Sequence, residues 1–325
     1  MRTAPAFWRH DGVLARLLTP VAAVVSAVTA MRIAQPGWRA PVPVICCGNA
    51  TVGGAGKTTV VLDLAERLQA RGLAVHILSR GYGGSIRGPH RITTDDSADR
   101  AGDEPLLLAE RAPTWIGTNR RSTAELAAAA GADILLMDDG LQNPSLCKDL
   151  SLLVIDGLSG FGNGRTLPAG PLREPVIACA ARCQAAVIIG DDEAGALALL
   201  PRNLSVLRAG LVQTGPIDDL RGRRVLAFAG IAVPEKFFRG LEAAGAVVAA
   251  RIPRPDHQAY TGAEIETLLR QAETLDAVPV TTPKDAVRLP LGIRAKIKVV
   301  GVELAWKNSQ AIERLLDRVT AVRGV

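Results

Sequence analysis

The sequence predicts an α/β fold with a parallel-sheet domain and a second, smaller α/β domain, preceded by a separate N-terminal helix. Short apolar segments rich in Val, Ile and Leu recur along the 325-residue chain, and such uninterrupted runs are typical of strands buried on both faces. Segments with helical spacing of apolar residues alternate with them, as in successive βαβ units. Hydrophobic residues make up 48% of the chain and aromatics only 3%, so two domain cores can form, mainly from aliphatic side chains.

The predicted N-terminal helix lies within residues 1–36. It contains an uncharged run from Leu17 to Met31, which is shorter than the roughly 20 apolar residues that span a bilayer. Basic and tryptophan side chains flank this run, namely Trp8, Arg9, Arg16, Arg32 and Trp38. These residues leave two interpretations open, an ordinary buried helix or a helix that lies in a membrane interface with anchors at its edges.

Residues 37–212 are predicted to form the first domain, which begins with a phosphate-binding motif. A buried strand over residues 43–47 leads into a glycine-rich turn, after which an amphipathic helix begins. The turn comprises Thr51, Val52, Gly53, Gly54, Ala55, Gly56, Lys57 and Thr58. A strand, a glycine turn, a Lys-Thr pair and a helix form the nucleotide cradle of P-loop proteins. Lys57 is predicted to neutralise the β- and γ-phosphates of ATP and Thr58 to ligate Mg²⁺, although Thr51 replaces the first glycine of the strict pattern.

Polar residues follow two further predicted strands of this domain. Arg80 comes shortly after the strand at 74–78, and Asp138 and Asp139 follow the strand at 133–137. Open α/β sheets bind their ligands at the carboxyl ends of the strands. We therefore predict that Arg80 contacts phosphate and that the two aspartates serve Mg²⁺ and position their neighbours.

Two other stretches of the first domain are candidates for function. Asp103 precedes Pro105 and an apolar run, which together predict a helix, and its position alone favours a helix-capping role. A Gly/Pro-rich stretch at 160–175 shows neither helical nor strand periodicity. A loop of this length inside a compact domain is usually functional.

Residues 213–325 are predicted to form a smaller α/β domain that contributes to a substrate cleft. Its predicted elements are strands at 225–229, 246–251 and 278–282 and helices at 234–244, at 262–274 and from Ser309. The glycine turn at Gly230 is not followed by a lysine, so a second P-loop is not predicted. His257 follows Asp256 in a predicted loop, where a histidine by itself is more often structural than catalytic.

Charge and cysteine content restrict the partners of the chain. The net charge of +6 favours an anionic partner such as a nucleotide or a phospholipid surface. No dense Lys/Arg run with interleaved aromatics occurs, so nucleic acid is not an expected partner. The five cysteines show no paired CxxC spacing and are interpreted as reduced thiols.

A set of short runs spread over nearly the whole chain carries a resemblance to one family. The runs are Gly48-Asn49 with the turn at 51–58, Ser79–Gly84, Gly102–Pro105, Asp138–Gln142, Gly162–Pro175, Asp256-His257 and Thr281–Leu289. Together they resemble the tetraacyldisaccharide 4′-kinases of lipid A biosynthesis. Three residues depart from the family pattern: Asn143 stands where histidine is usual, Thr59 where proline is common, and Pro283 where glutamate is frequent.

The resemblance implies an ATP-dependent, Mg²⁺-requiring lipid kinase at the cytoplasmic face of the inner membrane. Its acceptor would be the 4′-hydroxyl of a tetraacylated glucosamine disaccharide 1-phosphate. The resemblance also implies that Asp103, with His257 from the second domain, handles the proton of the acceptor hydroxyl. It further favours membrane association for the N-terminal helix.

Two other functional classes remain compatible with a P-loop. One is a nucleotide-dependent switch or metallochaperone-type NTPase, which often carries an extra lysine early in the loop, where Val52 stands here. The other is a membrane-bound scaffold that uses ATP only structurally. Asp103, the long Gly/Pro-rich loop and the size of the second domain favour the kinase. A basal ATPase rate that no lipid disaccharide changes would favour the switch.

Overall fold

The computed structural model describes residues 5–256, 258 and 260–323, and these residues form an α/β structure with two sheets. The strands are β1 (Val44–Gly48), β2 (Val75–Ser79), β3 (His90–Arg91), β4 (Thr114–Ile116), β5 (Ile134–Asp138), β6 (Leu150–Asp156), β7 (Ala185–Ile189), β8 (Ser205–Thr214), β9 (Arg224–Ala229), β10 (Val247–Pro253), β11 (Val278–Thr281), β12 (Lys298–Val299) and β13 (Gly301–Trp306). The predicted α/β class is therefore confirmed.

Helices connect most of these strands. They are α1 (Val13–Leu17), α2 (Thr19–Ile33), α3 (Lys57–Ala70), α4 (Ala98–Ala101), α5 (Asp103–Ala109), α6 (Arg120–Ala129), α7 (Val176–Ala180), α8 (Pro234–Ala243), α9 (Gly262–Thr274), α10 (Pro283–Ala286), α11 (Leu291–Arg294) and α12 (Ser309–Arg323). Single 3₁₀ turns occur at Ala6–Arg9, Ala196–Leu199 and Asp218–Leu220.

The larger sheet has β1 at its centre. Its strand order is β13-β8-β7-β6-β1-β5-β2-β4-β3, and all neighbours from β8 to β4 are parallel. The strands β2 to β5 lie on one side of β1 and β6 to β8 on the other, so the carboxyl end of β1 is a switch point where ligands bind in open sheets. Helices cover both faces: α3 and α12 pack on one, α6 and α7 on the other.

The smaller sheet consists of four parallel strands in the order β10-β9-β11-β12. The helix α8 buries Phe237, Phe238 and Leu241 on one face of this sheet. On the other face, α9 buries Ile265 and Leu268. Each face of the smaller sheet therefore has a hydrophobic core of its own. Each fully buried aliphatic or aromatic side chain in these cores stabilises the fold by roughly 1.5–3 kcal/mol.

One part of the predicted division is wrong. Residues 301–323 were assigned to the smaller domain, but β13 pairs antiparallel with β8 in the larger sheet, and α12 buries Ile312 and Leu316 against α3. The predicted connector at 211–224 is also partly strand, because β8 extends to Thr214. This strand is half exposed and lacks a continuous apolar run, which is why its sequence did not reveal it. The boundaries near residues 36 and 212 otherwise stay predictions.

The N-terminal segment is two short helices rather than one, and it is not buried. In α1 and α2 only Ala15 and Ala22 are buried. Apolar side chains at helical spacing are instead exposed along one stripe, namely Leu17, Val21, Val24, Val28 and Met31. The interpretation as an ordinary buried helix is therefore wrong. No helix in the described part of the chain is long and apolar enough to cross a membrane.

Candidate active site

The glycine-rich turn joins β1 to α3, as the sequence predicts. Gly53 and Gly56 have φ angles of 120° and 80°, a region that favours glycine. The backbone therefore requires glycine at Gly56, and a Cβ atom there, 2.6 Å from Cδ1 of Ile189, would also displace the end of that side chain. Lys57 is the first residue of α3, and the loop presents the helix N-terminus to the cleft.

The Lys57 side chain is held by two groups at the end of β1 and β5. Its Nζ donates to Oδ1 of Asn49 at 3.0 Å and lies 3.5 Å from Oδ2 of Asp139. Asn49 is buried, and its Nδ2 donates to Oγ1 of Thr51 at 3.1 Å and to the carbonyl of Gly53 at 3.3 Å. The threonine that replaces the first glycine of the pattern thus belongs to the network that fixes the lysine.

Asp139 sits between two cations. Besides Lys57, its Oδ1 accepts from the Arg173 guanidinium at 2.7 Å. Burial alone would raise the pKa of Asp139, but the charges of Lys57 and Arg173 outweigh it and hold the pKa below its ordinary value. Its φ of 54° lies in the left-handed region, which costs an aspartate less than most residues. The carboxylate is therefore ionised and its position is fixed from both sides.

Asp138 is in a different environment although it is adjacent in sequence. Its side chain is buried, and its Oδ1 has no hydrogen-bond partner among the described residues. Burial, followed by the nearby charge of Glu104, raises the pKa of Asp138 to about 7. A buried carboxylate oxygen without a donor fits a cation ligand, because Mg²⁺ binds oxygen and takes its remaining ligands from phosphates and water.

Arginines line the same edge of the sheet. Arg80 is exposed after β2 and lines the cleft, as expected for a phosphate contact, although its role stays a prediction. Arg120 is buried and donates to the carbonyls of Ser79 and Gly117, and burial lowers the pKa of Arg120 to about 10. Arg120 thus fixes the end of β2 from beneath the site.

Asp103 is not a helix cap. The N-cap of α5 is Gly102, and Asp103 is the first helical residue, with its carboxylate bound by the guanidinium of Arg288. The next residue, Glu104, faces Lys284 at 3.4 Å, and Lys284 also donates to Asp256 at 3.1 Å. The start of α5 therefore meets the smaller sheet unit. The predicted catalytic His257 lies outside the described residues, so its pairing with Asp103 stays a prediction.

The cleft between the two sheets has a volume of about 3050 Å³. The glycine turn forms one wall, where Gly54 faces Ala232 of the smaller unit. Residues of α2, including Thr29 and Arg32, line another part of it. Lys236 of α8 donates to Oδ1 of Asp156 at 2.7 Å and so joins the two units across the cleft. The cleft is large enough for a nucleotide and an extended acceptor together.

The predicted functional loop at 160–175 makes hydrogen bonds to the N-terminal segment and to the glycine turn. At one end, the backbone N–H of Asn163 donates to the carbonyl of Trp8 at 2.8 Å. At the other end, the N–H of Val52 donates to the carbonyl of Pro171 at 2.8 Å, and Arg173 reaches Asp139. The loop therefore has contacts with both the N-terminal segment and the nucleotide cradle.

Several residues of the site were not predicted individually. They are Asn49, Arg173, Glu174, Lys284 and Arg288. All five lie in the runs that carry the family resemblance or directly beside them, but their spacing does not reveal their contacts. The departure at Asn143 has a local explanation, because its Oδ1 accepts from the backbone and hydroxyl of Ser145 and closes a turn.

Comparison with known proteins identifies relatives over almost the entire chain. The model of the family described as tetraacyldisaccharide-1-P 4′-kinase matches residues 14–321. The chain is 56% identical over 317 residues to the tetraacyldisaccharide 4′-kinase of Gluconacetobacter diazotrophicus, which covers 97% of each protein. It is 53% identical over 322 residues to the one of Rhodospirillum centenum, which covers 96% of this chain and 95% of the relative.

A solved structure agrees with the architecture. The "apo" form of LpxK from Aquifex aeolicus, crystallised in complex with ATP, is similar with a TM-score of 0.78 and 26% identity. The match covers 94% of this chain and 99% of that one.

Proposed function

The chain belongs to the tetraacyldisaccharide-1-P 4′-kinase family, and we propose that the cleft between its two sheets is where it performs the family's reaction. It is an ATP-dependent kinase of lipid A biosynthesis, which phosphorylates the 4′-hydroxyl of a tetraacylated glucosamine disaccharide 1-phosphate. The observation that carries this assignment is the cradle around Lys57, which opens into a cleft that the smaller unit and the N-terminal helices also line.

On the nucleotide side, Lys57 acts on the β- and γ-phosphates. Asn49 and Asp139 hold its ammonium group in place before ATP arrives, so little reorganisation is needed when charge develops during transfer. Arg173 fixes Asp139 from the opposite side. The N–H groups of the glycine turn and the N-terminus of α3 complete the phosphate cradle.

We assign the Mg²⁺ ligands to Thr58 and Asp138. The unpartnered Oδ1 of Asp138 and the position of Thr58 in the first turn of α3 fit this ion. When bound, Mg²⁺ would neutralise charge on the phosphates. Asp139 is the weaker ligand candidate, because Arg173 and Lys57 already occupy its two oxygens.

On the acceptor side, the oxygen of the 4′-hydroxyl forms a bond to the γ-phosphorus. Asp103 receives the proton that this hydroxyl loses. The bond between that phosphorus and the bridging oxygen of ADP breaks, and ADP leaves with the electron pair. His257 orients Asp103 in this proposal, which rests on the family resemblance. A positioned base of this kind contributes about 10²- to 10⁴-fold in rate.

We place the protein at the cytoplasmic face of the inner membrane, on the membrane surface. The exposed apolar stripe on α1 and α2 supports this proposal, as do the arginines at positions 9, 16 and 32 that flank it. An apolar helical face with basic edges is typical of a helix lying in the membrane interface. Such a position would bring the cleft, which α2 also lines, next to lipid substrates.

The experiment that tests the function is transfer of labelled phosphate from ATP to a 1-phosphorylated, tetraacylated glucosamine disaccharide. We expect Mg²⁺-dependent product that carries the label at the 4′ position. The matched control is the same disaccharide with its 4′-hydroxyl blocked, which should accept no label. Hydrolysis of ATP at a rate that the disaccharide does not change, without labelled lipid, would contradict the kinase assignment.

A further inference from the structure

Among the described residues, three ion pairs join α5 and the residue that follows it to the smaller unit. They are Asp103–Arg288, Glu104–Lys284 at 3.4 Å and Glu110–Arg294 at 3.0 Å. The first pair differs from the others because both of its side chains are buried, 8% exposed for Asp103 and 3% for Arg288. The pair between Glu110 and Arg294 is 42% and 34% exposed. Exposed pairs of this kind contribute little to stability.

Arg288 is fixed by groups of the smaller unit. Its Nη1 donates to the carbonyl of Gly230 at 3.3 Å and to Oδ1 of Asp285 at 3.4 Å, while its Nη2 binds Asp103. The Nε has no partner among the described residues. A guanidinium is planar and rigid, so contacts on one edge determine where its other edge points.

Asp285, which holds Arg288, is itself saturated with donors. Its carboxylate accepts from the N–H of Gly230 at 3.0 Å, from the Tyr260 hydroxyl at 2.8 Å and from the Thr282 hydroxyl at 2.7 Å. These groups lie at the carboxyl ends of β9 and β11 and near the start of α9. The network therefore anchors Arg288 to the framework of the smaller sheet and directs its remaining edge at α5.

A buried ion pair with an unsatisfied nitrogen is a poor way to gain stability. Removing two charges from water costs several kcal/mol, and the attraction between them often does no more than offset this cost. The unpartnered Nε of Arg288 adds to that cost. The arrangement is better explained by the orientation that it gives to the Asp103 carboxylate.

We propose that Arg288 is a positioning residue for phosphoryl transfer, which holds the Asp103 carboxylate in its working orientation at the start of α5. This inference rests on the proposed function, in which Asp103 receives the acceptor proton. Because Arg288 belongs to the smaller unit and Asp103 to the larger one, the base is oriented only when the two units are in contact. Arg288 itself does not touch the reacting atoms.

The first test compares Arg288→Met with Arg294→Met, measured in the full chain with ATP and the acylated disaccharide 1-phosphate. Arg294→Met removes another ion pair between the same two regions without touching Asp103, so it is the matched control. A misplacement of about 1 Å at a reacting group costs on the order of 10²-fold in rate, so kcat should fall about 10- to 100-fold in Arg288→Met. The KM for ATP should stay within about twofold of wild type, and Arg294→Met should resemble wild type.

The second test is a double-variant cycle with Asp103→Ala. If Arg288 acts through Asp103, Arg288→Met should lower kcat little further once Asp103 is absent. Arg288→Lys keeps the charge but cannot bind Asp103 and Asp285 with one rigid fork, so it should recover kcat only in part. ATP affinity, measured by equilibrium binding, shows for each variant that the nucleotide cradle is folded.

The outcomes separate this inference from the proposed function. A wild-type chain that transfers no phosphate to the disaccharide contradicts the function itself. Wild-type transfer with an inactive Asp103→Ala and a fully active Arg288→Met contradicts only the role of Arg288. Losses of kcat that add in the double variant would show that Arg288 acts independently of Asp103. An equal loss of kcat in Arg294→Met would show that the effect comes from any contact between the units and would contradict a specific role for Arg288.

Discussion

The two sides of the cleft are constructed differently. On the nucleotide side, Lys57 and its partner Asn49 are only eight residues apart, and all of their contacts lie at one edge of the larger sheet. On the proposed acceptor side, Asp103 binds Arg288, which is 185 residues further along the chain and belongs to the other sheet unit. The nucleotide side therefore lies within one unit, whereas the proposed acceptor side exists only where two units meet.

This difference predicts which kinetic constants each side controls. Variants on the nucleotide side should change the protein's contacts with the phosphates of ATP, whether or not an acceptor is bound. Variants on the acceptor side should lower turnover and leave ATP binding almost unchanged, because Asp103 and Arg288 are not part of the phosphate cradle. Measurements of ATP affinity and kcat on the same variants can thus test the comparison.

The largest effect is expected for Lys57→Met. Removal of the ammonium group that acts on developing phosphate charge should lower transfer by at least about 10³-fold while the fold stays intact. The rate of labelled phosphate transfer at saturating ATP measures this, with Lys307→Met as the control at a lysine exposed on the surface. Wild-type turnover of Lys57→Met would show that the nucleotide binds elsewhere.

The same contrast explains how much of the structure the sequence revealed. The glycine turn and the strand ends at Asp138 and Asp139 follow from local rules, since φ angles, helix starts and apolar runs are encoded within a few residues. The partnership of Asp103 with Arg288 follows from no local rule, because it depends on how the two sheets pack. The interpretation of Asp103 as a cap was wrong because α5 begins at Asp103 itself, with Gly102 as its N-cap.

The errors in the fold have a similar cause. The strands β1 and β5 are continuous apolar runs and were predicted within a residue or two, but β8 mixes exposed and buried positions. Its partner β13 comes almost 90 residues later, after the whole smaller sheet. A return of the chain to the first sheet is a tertiary feature that periodicity does not record.

On the acceptor side, Asp103→Ala should lower kcat about 10²- to 10⁴-fold, the usual contribution of a positioned base. His257→Ala should lose less, and the double variant should be little worse than Asp103→Ala, because the two residues act as one unit. ATP affinity should barely change in any of the three. Additive losses would mean that Asp103 and His257 act separately, and a large loss of ATP affinity would remove the contrast between the two sides.

A smaller effect, on the nucleotide side, concerns Mg²⁺ and pH. Because burial and Glu104 raise the pKa of Asp138 to about 7, a proton competes with the cation for its carboxylate. The ionised fraction falls from about nine-tenths at pH 8 to about one-tenth at pH 6, so the Mg²⁺ concentration for half-maximal rate should rise about 5- to 10-fold over this interval. Titrations of the transfer rate with Mg²⁺ at the two pH values measure this.

Two variants assign that effect to one aspartate. Asp138→Asn should raise the Mg²⁺ requirement at pH 8 and abolish most of its pH dependence. Asp139→Asn should weaken the hold on Lys57 and Arg173 but keep the pH dependence, because the pKa of Asp139 lies below its ordinary value. If Asp139→Asn alone changed the Mg²⁺ titration, the metal role would belong to Asp139.

The smallest effect on the rate of phosphoryl transfer is expected at the exposed stripe of the N-terminal helices, which belongs to neither the nucleotide side nor the acceptor side. Val24 and Val28 belong to the exposed stripe and are 64% and 47% exposed. Burial of a valine side chain is worth about 1.5 kcal/mol, so Val24→Glu should weaken binding to anionic vesicles by roughly tenfold or more, and salt should weaken the remainder further. Flotation with vesicles measures this, and Ile177→Glu, at a residue 59% exposed on α7, is the matched control.

Point variants are sharper here than removal of residues 1–36. The loop at 160–175 contacts Trp8 at one end and Val52 at the other, so a truncation would also disturb the glycine turn. With the acceptor dispersed in detergent, Val24→Glu should transfer phosphate at the wild-type rate, because the stripe does not touch the nucleotide or the acceptor hydroxyl in our proposal. Equal flotation of Val24→Glu and wild type would contradict the membrane role of the stripe. A loss of activity in detergent would instead mean that α2 forms part of the acceptor side itself.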